Sequence, residues 1–149
     1  EHEAPFNHRK TGIERVRDSL HATMWDKVGI LRNQADLEIA QQTLRALASE
    51  LMTIGLAEPN RAYNLTWHDW LNLRNLIEVS RVITNAALAR EDSRGAHYRE
   101  DFPETRNLEQ SAFTTVRARE HTLELSWTPV SFSRVKPGET ILSEAAASA

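Results

Sequence analysis

With 149 residues, a formal charge of −3 and an isoelectric point near 6.1, the chain fits one domain with a real core and gives no reason to expect nucleic acid or an anionic membrane as partner. It has no cysteine, which excludes disulfides and thiolate metal sites and fits a reducing compartment. No run reaches the roughly 18 apolar residues of a membrane span, so direct membrane insertion is not expected, and no signal-peptide pattern opens the chain.

Residues 1–10 show no hydrophobic period and read as a linker arm, with His2 and His8 part of a mobile end rather than metal ligands. The first residue is Glu1 and not Met, which reads as a processed chain or as a piece of a longer polypeptide. Thr11-Gly12-Ile13-Glu14 has the capping-box pattern. It opens a first helix with Ile13, Val16, Leu20, Met24, Val28 and Leu31 on one face. Gly29 interrupts that helix, either at a close helix crossing or at a frayed end. Arg32 to Asp36 reads as a short connection with Asp36 as the next N-cap.

The second helix is the clearest pattern in the chain. Leu37, Ala40, Leu44, Leu47, Leu51 and Ile54 form a seam at spacings of three and four. Gly55 and Glu58-Pro59-Asn60 end it. Thr66, with Asp69 following, reads as the cap of a third helix. That helix is apolar on more than one face (Trp67, Trp70, Leu71, Leu73, Leu76, Ile77, Val79, Val82, Ile83 and beyond), which predicts cover on two sides. Asn75, Ser80 and Asn85 recur at intervals of five, as a packed contact or as a solvated stripe. Phe113 to Arg119 and Thr122 to Val130 alternate and predict a β-hairpin, resting on the bundle through Trp127 and Phe113. The expected architecture is mainly α: an antiparallel three-helix bundle, spectrin-repeat-like, with a C-terminal loop and a small β-hairpin. The expected division is a bundle with its loop over residues 11–110, a hairpin extension over 111–142 and a loose tail over 143–149.

Between the third helix and the hairpin lies the densest cluster of functional side chains. Arg90-Glu91-Asp92-Ser93-Arg94-Gly95-Ala96-His97-Tyr98-Arg99-Glu100-Asp101-Phe102-Pro103 holds three arginines, a histidine and four acids in fourteen positions. Gly95 reads as the left-handed residue that stops the helix, and Pro103 forbids more helix after it. His97 between Arg94 and Arg99 is able in principle to shuttle a proton or clamp a carboxylate. The preferred reading is that the arginines pair with Glu91, Asp92, Glu100 and Asp101 and fasten the loop to the bundle or to a neighbouring domain. His68 with Asp69 and His21 near Trp25 read as a cap and a packing neighbour.

Arg-x-x-Ser-Arg-Gly-x-His-x-Arg-x-Asp-Phe-Pro, after an Ala-Ala-Leu-Ala-Arg helix end, resembles the C-terminal helical domain of the succinate dehydrogenase/fumarate reductase flavoprotein family, to which L-aspartate oxidase also belongs. With the upstream helices and Ser126-Trp127-Thr128-Pro129-Val130 in the same order, the resemblance covers residues 11 to 132. His97-Tyr98 is closer to the aspartate-oxidase style, while Ala96 and Arg99 lean toward the succinate/fumarate style. The resemblance implies an FAD-dependent parent protein acting on a dicarboxylate. This chain carries no flavin fingerprint, because its glycines stand singly and no strand–glycine–helix unit exists. No catalytic, cofactor-binding or metal residue is therefore assigned to it. The expected role is a non-catalytic one, with Arg90, Asp92, Ser93, Arg94, Gly95, His97, Arg99, Asp101 and Pro103 as a domain interface toward the flavin-binding and capping domains. Other subunits of a respiratory-type complex are further implied partners, with a cytoplasmic location or one at the cytoplasmic face of a membrane through those subunits. The alternative is a stand-alone helical interaction subunit with the arginine-rich loop as contact surface.

Overall fold

The computed structural model describes residues 12–56, 60, 62–119 and 122–139, the side chain of Ala118 excepted. Thr11, the linker arm, Glu58-Pro59, the Glu120-His121 turn and the 143–149 tail lie outside the described residues. The chain forms two compact units, one ending at Pro103 and one starting at Glu104.

The first unit is built on three helices, α1 (Ile13–Val28), α2 (Gln34–Thr53) and α3 (Leu65–Ala89). Of the expected seam of α2, Leu37, Ala40, Leu44, Leu47 and Leu51 are buried, while Ile54 is the C-cap beyond the helix and half-buried, and α2 packs against both other helices. The core runs in two clusters. Ile13 from the start of α1 joins Leu51 from the end of α2 and Trp70 from the start of α3. At the other end Val28, Leu37, Ala40 and Ala87 meet, with Met24 touching both groups. That arrangement of ends makes the bundle antiparallel. Each fully buried leucine contributes roughly 1.5–3 kcal/mol. Trp70 buries its ring and donates its indole N–H to Leu51 O at 3.1 Å, serving one of the last carbonyls of α2.

Helix ends depart from the expected positions. The cap of α2 is Asn33, whose side chain accepts from Asp36 N, and the cap of α3 is Asn64, accepting from Trp67 N. Asp36 and Thr66 lie inside the first turns. The structure resolves Gly29 as well: it is the C-cap of α1, and a Cβ there would lie 2.7 Å from Trp25 O. Leu31 leaves the helix for a two-residue strand, β1 (Leu31–Arg32), parallel to β2 (Tyr98–Arg99). On α3, one face buries Trp70, Leu73, Ile77, Ser80, Thr84 and Ala87, while Leu76, Val79 and Ile83 are exposed. Of the five-residue polar repeat, Ser80 is buried and Asn85 accepts from Gln41 of α2 at 2.8 Å, whereas Asn75 is on the surface.

The second unit opens with a 3-10 turn at Leu108–Gln110 and continues as an antiparallel hairpin of β3 (Ala112–Arg119) and β4 (Thr122–Pro129). The register pairs Phe113 with Thr128, Val116 with Leu125 and Arg119 with Thr122. Phe113 and Trp127 are 61% and 49% exposed.

Candidate functional site

The Arg90–Pro103 loop folds back over the end of the bundle where α1 stops, α2 starts and α3 stops. Helix α3 ends at Ala89, with Arg90 extended behind it. The last carbonyls of a helix lack partners within it, and that end of its dipole attracts cations. Arg99 meets both needs. Its Nη1 donates to Ala87 O and Leu88 O at 3.0 Å and to Arg90 O at 3.2 Å. Its Nε and Nη2 hold the two oxygens of Asp101, each at 2.7 Å, in the fork geometry that only arginine provides. The side chain is 1% exposed, with its guanidinium 4.9 Å from the centre of the Phe102 ring.

Asp101 also reaches α2, where its Oδ2 accepts from Gln34 N, the first residue of that helix, at 2.9 Å. One carboxylate thus joins the end of α3 to the start of α2. The Arg99 hydrogen bond chiefly, helped by the Gln34 amide, holds its pKa down to about 2 against the opposing effect of desolvation.

Arg32 serves α1 as Arg99 serves α3. Its Nε donates to Gly29 O at 2.6 Å and Val28 O at 3.2 Å, and its Nη1 to His97 Nδ1 at 2.6 Å. Arg32 and Arg99 are opposite one another in the β1–β2 pair, which is sewn by Tyr98 N to Ile30 O and Glu100 N to Arg32 O. Asn33 adds a bond to Glu100 at 3.0 Å.

A guanidinium offers only donors, so His97 Nδ1 is an acceptor and its Nε2–H faces Arg90 O at 3.3 Å. Burial, joined by the charges of Arg32 and Arg90, lowers the pKa of His97 below the usual histidine value, while Arg90 O and Asp92 oppose the shift. The imidazole is therefore neutral at pH 7, with both nitrogens engaged. Asp92 is buried between Arg90 Nε, at 2.9 Å, and Arg94 Nε. Ser93 Oγ accepts from Arg99 N at 2.9 Å and donates to Phe102 O at 2.8 Å. Arg94 and His97 exchange backbone bonds of 2.8 and 2.9 Å around Gly95, whose φ is +53°. Gly95 thus serves a two-residue turn, five residues beyond the C-cap, and does not stop the helix.

All nine residues singled out from the sequence lie in or beside this cluster, with Pro103 exposed at its edge. Arg32, Asn33 and Gln34 belong to it too and were not anticipated, since nothing in a short polar connection tells which distant loop it will meet. His68 and His21 are exposed, and Asp69 faces Arg17 at 3.4 Å. Among the described residues no group of three His, Cys, Asp or Glu is placed to hold a metal ion.

Among the described residues the glycines stand singly, so no clustered-glycine helix start of the dinucleotide-binding kind is present. Pyrophosphate needs free N–H groups at a helix start approached through glycines. At α2 the Gln34 amide is taken by Asp101 and the Asp36 amide by Asn33, and at α3 the Trp67 amide is taken by Asn64. Gly95 and Gly138, the glycines with positive φ, sit in separate turns.

Fold and site define a helical-bundle domain closed at one end by an arginine-clamped return loop. The chain belongs to the family described as fumarate reductase flavoprotein C-term, which matches residues 17–141. It is 41% identical over 91 residues to a fumarate reductase (CoM/CoB) chain of Methanothermobacter marburgensis, covering 61% of this chain and 16% of that one. It is 33% identical over 130 residues to the fumarate reductase flavoprotein subunit of Mycobacterium tuberculosis, covering 87% of this chain and 22% of that one. Among solved structures, Mycobacterium smegmatis Sdh1 in complex with UQ1 superposes with a TM-score of 0.77 at 27% identity, over 87% of this chain and 22% of that one. The chain therefore spans about a fifth of the length of these relatives. Among the described residues no helix is long and apolar enough to cross a membrane.

Proposed function

We propose that the chain is the non-catalytic C-terminal helical domain of an FAD-dependent dicarboxylate oxidoreductase and braces its flavin-binding and capping domains. The observation that carries this reading is that the loop's charged groups act on one another and on the bundle's helix ends. Arg99 and Arg32 close α3 and α1, Asp101 accepts from the first amide of α2, and His97 has both ring nitrogens occupied. A loop wired in this way is a stiff surface and lacks a poised proton donor. Its outward part, Gly95, Ala96 and Tyr98, and the exposed Leu76, Val79 and Ile83 of α3 are the surfaces offered to neighbours. The arginine loop braces by holding its own shape, with Arg90, Asp92, Ser93, Arg94 and Arg99 as its frame. FAD and dicarboxylate belong to the remainder of the parent polypeptide, and other subunits of a respiratory-type complex are its further partners.

Incubating the purified chain with FAD, fumarate and a low-potential electron donor tests the non-catalytic assignment. No retained flavin and no succinate are expected. Either a flavin spectrum that survives desalting or succinate formed above a protein-free control overturns it.

A further inference from the structure

His97 sits where three elements meet. From β1 comes the Arg32 guanidinium, 2.6 Å from Nδ1. From the end of α3 comes Arg90, whose carbonyl faces Nε2 at 3.3 Å and whose charge also acts on the ring. From the loop itself comes Asp92, held between Arg90 and Arg94. The contact with Arg32 tolerates only one protonation state. An imidazolium has N–H groups at both positions, and two donors cannot face each other at hydrogen-bond distance. Arg32 is not free to swing aside, since its Nε is bound to Gly29 O and Val28 O at the end of α1. The ring is the side that must yield, and it stands at one end of the Arg94–His97 turn.

We propose that His97 is a pH-sensitive latch: neutral, it pins the Gly95 turn to the end of α1 through Arg32, and protonated, it releases that turn while Arg99 keeps the rest of the loop clamped on α3. The division of labour follows from the contacts. Arg99 shares Arg90 O with His97 Nε2 but also holds Ala87 O, Leu88 O and Asp101, bonds in which the ring takes no part, and Asp101 stays ionised down to about pH 2. The lowered pKa of His97 agrees in direction with this arrangement. Because the latched state disfavours the proton, its stability is complete above the ordinary histidine pKa of about 6.5 and is lost as pH falls through the depressed value. This inference concerns the chain by itself and does not depend on the bracing role.

The test is an NMR titration of the whole chain, following the His97 ring nitrogens and hydrogen exchange at the amides of Arg94 and His97. At neutral pH the ring is expected as the Nε2–H tautomer, with a titration midpoint below 6.5. Through that midpoint, exchange at the two amides, corrected for its intrinsic pH dependence, should quicken by roughly tenfold for each pH unit separating latched and free midpoints. The amide of Glu100, bonded to Arg32 O, should stay protected. His97→Gln, whose side-chain oxygen can accept from Arg32 without titrating, should make the exchange pH-independent. A midpoint at or above 6.5 overturns the proposal, as does exchange at Arg94 and His97 that is flat across it. Loss of protection at Glu100 together with the turn also overturns it, since the loop would then open as one piece.

Discussion

Arg99 is the residue on which the end of the bundle turns. It is buried, and its charge is met by Asp101 and by the carbonyls of Ala87, Leu88 and Arg90. Asp101 is partly exposed, so the cost of removing Arg99 lies mainly in its charged hydrogen bonds to the end of α3, about 1.5–3 kcal/mol. Arg99→Met is expected to lose on that order in urea unfolding, and Arg99→Lys part of it, since an ammonium cannot fork to both oxygens of Asp101. If Arg99→Lys unfolds at the wild-type midpoint, the fork geometry is irrelevant. Asp101 provides the pH counterpart. Its pKa is lowered from 3.8 to about 2, so its contribution is present above 3.8 and is lost as pH falls through about 2. Acid unfolding of Asp101→Asn should be shallower than wild type between these values, starting from a lower stability at neutral pH. Gly95 is a third case: at φ +53° an added side chain is strained even with open space around it, so Gly95→Ala should cost about 1–2 kcal/mol.

Among elements, α2 is the spine, because it alone packs widely on both other helices. Leu44 is wholly buried on its seam, and Leu44→Ala is expected to cost about 2–5 kcal/mol by denaturant titration; a loss under about 1 kcal/mol would mean the seam is not the core. The seam was readable from spacing alone because a period of three and four makes one face of a helix wherever it lies. The hairpin strands were readable for the matching reason of alternation. Helix starts were less so: Asn33 and Asp36, or Asn64 and Thr66, are all capable caps, and the choice depends on where the chain enters the turn. The β1–β2 pair was invisible, since two residues carry no period and their partners lie 67 positions away. The loop's charge pairs were half legible. Arg90 with Asp92, Arg94 with Asp92, and Arg99 with Asp101 are neighbours in sequence and pair as their chemistry suggests. That Arg99 closes α3 was not legible, because its acceptors are backbone carbonyls that every residue possesses.

At the scale of the molecule, family membership and the internal wiring of the loop lead to one picture. The end of the bundle is closed by its own loop and α3 keeps an exposed apolar face, two features that support the proposed bracing role. Isolated apolar residues on a surface need no explanation, but three in register on one helix make a face. The chain spans about a fifth of the length of the relatives to which it is similar. The most direct test is to prepare the parent polypeptide with and without residues 12–139 and to compare how much FAD each form retains and at what temperature it lets the flavin go. The bracing role predicts that the shortened form releases its flavin at a lower temperature and recovers when the separate chain is added back. Equal flavin retention and equal release temperature in the two forms would contradict it.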